Sequence, residues 1–300
     1  MGIAPQPVLI EPPYGIILDE VRSGNVIPFL GSAASRVTFG NAAPEIVPSG
    51  AQLADMLADA ANFPSADEHD RRDLAKVSSY YADGSSRGAL RRKLRTVFVD
   101  GTYCCNDLHR FLARIANNQL IVTTNYDTLL EQAFLEIGKP YDLVVYPADN
   151  QEFANGVLWW SHGDSDPKKL KPNQLDIADL GKSNLIYKIH GSVNKEAQQW
   201  DSFVITEEDY VKFLSRMNNA VPAAFREYFS KRAFLFLGYS LRDWNMRVLL
   251  KEVSVSDITS WAILYQPTAF ERKLWERRKV DIFDLKLEEF VTKIRARAGI

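Results

Sequence analysis

Seven short apolar runs punctuate the chain: VIPFL from Val26, QLIVTTN from Gln119, YDLVVY from Tyr141, NLIYKIH from Asn184, AFLFLG from Ala233, WAILYQ from Trp261 and VDIFDL from Val280. They are rich in β-branched and aromatic residues and are bounded by turn formers, which predicts strands. Most are apolar along their length rather than alternating, and helix-period segments follow many of them. Strands buried on both faces under helices have this pattern, so the expected fold class is α/β: a Rossmann-like, doubly wound, mostly parallel sheet. After QLIVTTN, Asp127 can cap a helix with Leu129, Leu130, Ala133, Phe134 and Ile137 on one stripe, ending near Gly138 and Pro140. After AFLFLG, Ser240 or Asp243 can open another, carrying Met246, Val248, Leu249 and Leu250, and VDIFDL leads into a last one, LEEFVTKIRARA.

Between residues 49 and 118 the strand runs stop. Leu53, Met56, Leu57 and Ala60, then Leu90, Leu94, Val97 and Phe98, recur at helical spacing. This predicts a helical subdomain inserted into a single domain spanning 1–300. The stretch 161–183 is polar and rich in Asp, Lys, Gly and Pro, and is expected to be a mobile loop, with a lid as one role open to it.

The composition, 46% hydrophobic and 25% charged, is ordinary for a globular protein. A net charge of −2 supplies no global basic field, so direct nucleic-acid binding is not expected. The basic clusters Arg91, Arg92, Lys93, Arg95 and Arg272, Lys273, Arg277, Arg278, Lys279 sit among helix formers and read as solvated helix faces. No basic segment followed by a long apolar stretch opens the chain, and no run approaches about 18 apolar residues. A cytoplasmic location without membrane contact is expected. The two cysteines, Cys104 and Cys105, are adjacent, which suits neither a disulfide framework nor paired zinc motifs, and no metal is expected.

Four segments carry candidate chemistry. VIPFLGSAAS delivers Gly31, Ser32 and Ser35 to a turn before a possible helix, where small residues let a diphosphate approach, although a simple tight turn reads equally well. Thr123, Thr124, Asn125, Tyr126 and Asp127 fall at the carboxyl end of a buried strand, the edge where open α/β sheets bind ligands. Turn and cap roles suit Thr123, Thr124 and Asp127, whereas Asn125 can orient a water or a sugar hydroxyl. NLIYKIHGSVN brings His190 to another strand end as a candidate general base. His69 and His109 lie in helical segments, and His162 also precedes a glycine, so spacing alone does not separate it from His190. In FLFLGYSLRDWN, Gly238 and Ser240 can meet a phosphate or ribose, or can serve as a packing glycine and an N-cap.

Taken in order, LGSAAS, TTNYDTLLEQAF, KIHGSV and FLGYSLRDWN resemble the bacterial sirtuin-like NADase family of anti-phage, abortive-infection effectors, and the similarity covers most of the chain. The resemblance implies NAD+ as substrate, Asn125 beside the nicotinamide ribose and His190 as the base. It further implies Gly31, Ser32, Asp127, Gly238 and Ser240 as residues that bind the dinucleotide, and Ser35, Thr124 and Tyr239, in the same segments, are expected to join them. Here the first turn reads GSAAS, where sirtuin deacylases have Gly-Ala-Gly, and both the G-I-P-D-F-R string and the zinc-binding Cys pairs are absent. Hydrolysis of NAD+ to nicotinamide and ADP-ribose is therefore expected. A non-catalytic NAD+ or ADP-ribose sensor or assembly subunit and an NAD-dependent deacylase are the alternatives. Homo-oligomerisation, and activation by a HerA-like translocase ATPase or an Argonaute-like partner, are implied by the same resemblance.

Overall fold

The computed structural model describes residues 11–38, 45–150, 152–153, 155–239, 247–248, 251 and 258–300. Ser240, Asp243, Met246, Leu249 and Leu250 lie outside them.

All seven apolar runs form strands: β1 (Val26–Leu30), β2 (Leu120–Thr123), β3 (Asp142–Val145), β6 (Leu185–Lys188), β9 (Ala233–Leu237), β10 (Ser260–Leu264) and β11 (Val280–Asp284). They make one sheet with β4 (Val157–Trp160) and β5 (Lys168–Leu170), in the order β11-β10-β9-β1-β2-β6-β3-β4-β5, and β7 (Gly191–Ser192) pairs separately with β8 (Ser202–Phe203). Every pairing from β11 through β3 is parallel, and β4 and β5 form an antiparallel edge. Alternate strand residues enter two separate cores. Val26, Leu30, Ile121, Ile186 and Leu235 face one side, and Ile27, Phe29, Val122, Tyr187 and Phe236 the other. This is a doubly wound α/β sheet buried on both faces.

The interior strand β1 carries a proline, Pro28, which cannot donate to a ladder. β1 pairs with β9 from Val26 to Leu30, but with β2 only at Phe29 and Leu30, beyond Pro28. Where the β1–β2 ladder is missing, the buried Gln119 side chain donates to the Val21 and Val26 carbonyls (3.2 and 2.9 Å).

Helix α1 (Tyr14–Arg22) packs on α12 (Leu287–Ala298), and α6 (Asp107–Ile115) packs on both α7 (Leu129–Glu136) and α12. Asp127 Oδ1 accepts the Leu129 N–H at 3.1 Å, so the expected cap forms, and Leu129, Leu130, Ala133 and Phe134 are buried. The opposite face is covered by α8 (Glu207–Ser215), α9 (Met217–Ala220), α10 (Ala223–Ser230) and α11 (Ala269–Glu276). Between β1 and β2 the chain also forms α2 (Gly50–Ala60), α3 (Glu68–Arg71), α4 (Leu74–Gly84) and α5 (Arg87–Phe98). Leu53, Leu57, Leu90, Leu94, Val97 and Phe98 are buried there, but Met56 is exposed and Ala54 and Ala58 complete the α2 stripe.

Two expectations fail. The 161–183 stretch is not an open loop: β5 pairs with β4, and two 3-10 turns follow at Pro172–Gln174 and Ile177–Gly181. None of its described residues lines the cavity over the site below. The first basic cluster is not a solvated face either. Arg87, Arg91 and Arg95 repeat every fourth residue along α5 and meet Asp149, Asp209 and Asp201 at 2.7–3.0 Å. These carboxylates are nearly buried, so the arginines fasten α5 to the segments that follow the strands. Burial pushes the Asp201 carboxyl above the usual range despite Arg95 beside it. Arg92 remains exposed.

Candidate active site

Four strands that are neighbours in space, β9, β1, β2 and β6, each end in one of the candidate motifs. The chain runs from β1 through β2 toward β3 on one side, then returns to place β9 on the other side of β1. Such a reversal opens a crevice at the carboxyl ends of the strands.

The first motif forms a 3-10 turn, Ser32–Arg36, rather than the start of a long helix. Its Ala33 and Ala34 N–H groups donate to the Gly238 and Gly31 carbonyls (3.0 and 2.9 Å), so they are not offered to an anion. Gly31 and Gly238 serve each other. A Cβ on Gly31 would lie 2.6 Å from the Gly238 carbonyl oxygen. One on Gly238, where φ is +65°, would lie 2.2 Å from the Ala34 nitrogen. The close approach that these glycines permit is first of all between two turns. Ser32 and Ala33 stay exposed at the surface of that contact.

Around Asn125 the polar groups form a chain. Ser35 Oγ donates to Asp127 Oδ2 at 2.8 Å, and Asn125 Nδ2 donates to Ser35 Oγ at 3.0 Å and to the Gly31 carbonyl at 3.1 Å. The Asn125 backbone N–H donates to Thr123 Oγ1 at 3.0 Å, and the Thr124 N–H to the Leu30 carbonyl at 3.1 Å. With both amide hydrogens committed, the group that Asn125 can present to a ligand is Oδ1. Ser35 and Asp127 are buried and are not among the described residues lining the crevice, so they support Asn125 from behind. Further back, Asn106 Nδ2 holds the Ala34 carbonyl at 2.8 Å, and the Asn106 N–H donates to His109 Nδ1 at 3.3 Å. Burial depresses the His109 imidazole to about 4, which keeps it neutral in this cap.

His190 is 3% exposed and packs edge-on against Tyr210 and Phe213, with ring centroids 5.7 and 5.2 Å away. Its carbonyl accepts the Val204 N–H at 2.9 Å, and the Tyr126 hydroxyl donates to the Val204 carbonyl at 2.6 Å. The same segment therefore braces both strand ends. The glycine after His190 is required there: Gly191 has φ +91°, and a Cβ would lie 2.1 Å from the Ser202 carbonyl oxygen. Topology now separates the two histidines that precede glycines. His162 follows the antiparallel β4, so it emerges at the opposite sheet edge, where its N–H donates to Asp142 Oδ1 at 2.9 Å.

A cavity of about 710 Å³ gathers Ser32, Thr124, Asn125, Tyr126, His190 and Tyr239. The helices between β1 and β2 contribute Leu53, Leu74 and Phe98 to its wall, and α8 contributes Glu207, Tyr210 and Val211. A second cavity of about 780 Å³ shares Ser32 and Tyr239 with it and runs past Gly238 to Arg36, Tyr265, Lys286 and Glu288. Together they make one trough across the carboxyl ends of β6, β2, β1, β9 and β10. Ser240 of the fourth motif lies outside the described residues. The motifs do not reveal Tyr210, Tyr265 and Lys286, which stand outside them.

A model of the SIR2-like domain matches residues 119–283, just over half of the chain. The chain belongs to the SIR2-like family. The match begins at β2 and ends in β11, so it spans the Asn125, His190 and Gly238 motifs. Among curated proteins, this SIR2-like chain is similar to the NAD(+) hydrolase ThsA of Bacillus cereus strain MSX-D12, 27% identical over 192 residues, 62% of this chain and 33% of the relative. The NAD(+) hydrolase ThsA of Enterococcus faecium is 24% identical over 237 residues, 78% of this chain and 41% of the relative. The chain thus spans about a third to two-fifths of the length of these relatives. A solved structure titled for the mechanism and regulation of Sir2 enzymes overlays on 95% of this chain and 97% of its own, with a TM-score of 0.46 and 12% identity. Among the described residues, no helix is long and apolar enough to cross a membrane, and no group of three or more His, Cys, Asp or Glu could hold a metal ion.

Proposed function

We propose that the chain hydrolyses NAD+ to nicotinamide and ADP-ribose. The observation that carries this reading is the convergence of Asn125 and His190 in one cavity, continuous through Ser32 and Tyr239 with a second one of dinucleotide reach. The relatives' name, NAD(+) hydrolase, supports it.

The nicotinamide ribose would occupy the cavity of Asn125 and His190. The diphosphate would pass over Ser32, and the adenosine would enter the trough beside Gly238, Tyr265 and Lys286. The nicotinamide leaving group is already cationic. When the C1′–N bond breaks, both electrons go to the ring nitrogen and nicotinamide departs neutral, so no strong acid is needed. The site must instead stabilise an oxocarbenium-like ribose and hold a water in line. Asn125 Oδ1 accepts a hydrogen from that water and turns its lone pair toward C1′. As the water oxygen bonds to C1′, His190 takes the released proton. Asp127 and Ser35 keep the amide facing this way, and Thr124 lines the ribose side. The chain serves as a single sirtuin-like domain in which the helical segment 49–118 walls the nicotinamide end.

In this reading the chain is a regulated anti-phage effector in the cytoplasm. It acts as a homo-oligomer triggered by a separate partner, such as a HerA-like ATPase or an Argonaute-like protein. This level rests on the family resemblance, and light scattering that finds a monomer at every concentration would refute the assembly. The chemistry is tested by mass spectrometry of NAD+ incubated with the protein, alone and with a candidate activator. The expected products are nicotinamide and ADP-ribose, with turnover lowered at least about 100-fold in Asn125→Ala and His190→Ala. Equal release by wild type and both variants would overturn the assignment.

A further inference from the structure

Lys188 is a charge inside a buried parallel strand, two residues before His190, and its side chain is completely buried. Burying an ammonium is costly unless each of its three hydrogens finds an acceptor. Nζ is bonded to Glu131 Oε1 on α7 (2.9 Å), to the Asp127 carbonyl, and to the Tyr126 carbonyl (3.4 Å). Glu131 is itself 6% exposed and supplies the countercharge. The two carbonyls belong to the turn between β2 and α7, immediately after Asn125, where the β2 ladder has ended and α7 has not begun. One side chain therefore joins the strand that delivers His190 to the turn that delivers Asn125.

We propose that Lys188 is a positioning residue, which fixes the Tyr126–Asp127 peptide groups and thereby the placement of the Asn125 amide relative to His190. Its effect on turnover rests on the hydrolysis reading above, whereas its effect on the turn does not. The competing role is purely structural: a buried ion pair that only holds α7 to β6. The two differ in what happens when both charges are removed. Replacing a buried pair by apolar residues of similar volume is often neutral for stability, whereas removing one partner strands the other. Lys188→Met alone leaves Glu131 stranded, so the informative protein is Lys188→Met/Glu131→Leu. A purely structural pair predicts that this double variant recovers both melting temperature and turnover. Positioning predicts that melting temperature recovers only in part and turnover does not, with the Asp127 carbonyl lacking its donor and the Tyr126 carbonyl left with the Val193 N–H alone (3.1 Å).

The test compares wild type, Lys188→Met and the double variant by thermal melting, by NAD+ kinetics and by amide hydrogen exchange. In the double variant, kcat should fall at least about tenfold while KM stays within about threefold, since the trough that binds the dinucleotide is untouched. The amides of Asn125 and Leu129, held by Thr123 Oγ1 and Asp127 Oδ1, should exchange at least about tenfold faster, while those of β9 keep their rate. Wild-type exchange at both amides overturns the proposal, whatever the kinetics show. If the wild-type protein releases no nicotinamide, the hydrolysis reading fails by itself and the exchange rates still decide the role of Lys188. A double variant in which the β9 amides exchange as much faster as those of Asn125 and Leu129 would also overturn the proposal, because the loss would then be global rather than local to the turn.

Discussion

Ser35→Ala removes one hydroxyl from the chain Asp127–Ser35–Asn125, and the consequence can be worked atom by atom. A carboxylate accepts only, so the serine hydrogen is committed to Asp127 Oδ2 at 2.8 Å. Ser35 Oγ must then accept, and Asn125 must show it Nδ2 rather than Oδ1. The serine and the Gly31 carbonyl, both acceptors toward Nδ2, thus decide which way the Asn125 amide faces. Losing a hydrogen bond to a charged acceptor costs about 1.5–3 kcal/mol, and losing the bond from the amide about 0.5–1.5. A total near 3 kcal/mol corresponds to a melting temperature lower by roughly 5 °C in a chain of 300 residues. Turnover should fall as well, because the amide keeps only its bond to the Gly31 carbonyl and can rotate.

The decisive assay is a double-mutant cycle with Asn125→Ala, read by urea unfolding. The two side chains share one hydrogen bond, so their losses should be coupled by at least about 0.5 kcal/mol. If the single losses add to within about 0.3 kcal/mol, the two groups are independent and the account of the Asn125 orientation is refuted.

Gly238→Ala and Gly24→Ala share a left-handed backbone but differ in surroundings. At Gly24 (φ +71°) nothing lies within 4 Å of the added carbon, so the cost should be about 1–2 kcal/mol, whereas Gly238→Ala must also push the Ser32–Arg36 turn away. Gly238→Ala should therefore destabilise the fold by at least about twice as much in urea unfolding, and should weaken calorimetric NAD+ binding where Gly24→Ala does not; equal effects would refute the packing argument. His109 should make the fold acid-sensitive. Its folded value of about 4 lies below the ordinary 6.5, so as pH falls through that window the unfolded chain takes up a proton that the fold refuses, and about 3 kcal/mol of stability is lost. His109→Gln preserves an acceptor for the Asn106 N–H and cannot titrate, so its unfolding free energy should lack that loss between pH 6.5 and 4.

The strands were legible because burial on both faces leaves an unbroken apolar run, and their ends were legible because turn residues must follow. What such a run does not carry is its neighbours. VLWW is as apolar as β1, yet its meaning changes once it pairs antiparallel with β3, because that places His162 at the sheet edge away from Asn125. The glycines were legible as places of close approach, but not what approaches: the partner of Gly31 is Gly238, 207 positions away along the chain. Arg91 and Arg95 look solvated in a helical pattern because the aspartates that bind them come from distant segments. Lys188 is the instructive exception. A lysine within NLIYKIH contradicts the apolar run around it, and a buried charge is retained in a core only when something nearby accepts its hydrogens. The violation was visible in the sequence, and the structure adds what it serves: the acceptors are the peptide groups next to Asn125. A polar residue that breaks a buried strand close to its carboxyl end therefore points to the support beneath a site, as the residue just beyond that end points to the site itself.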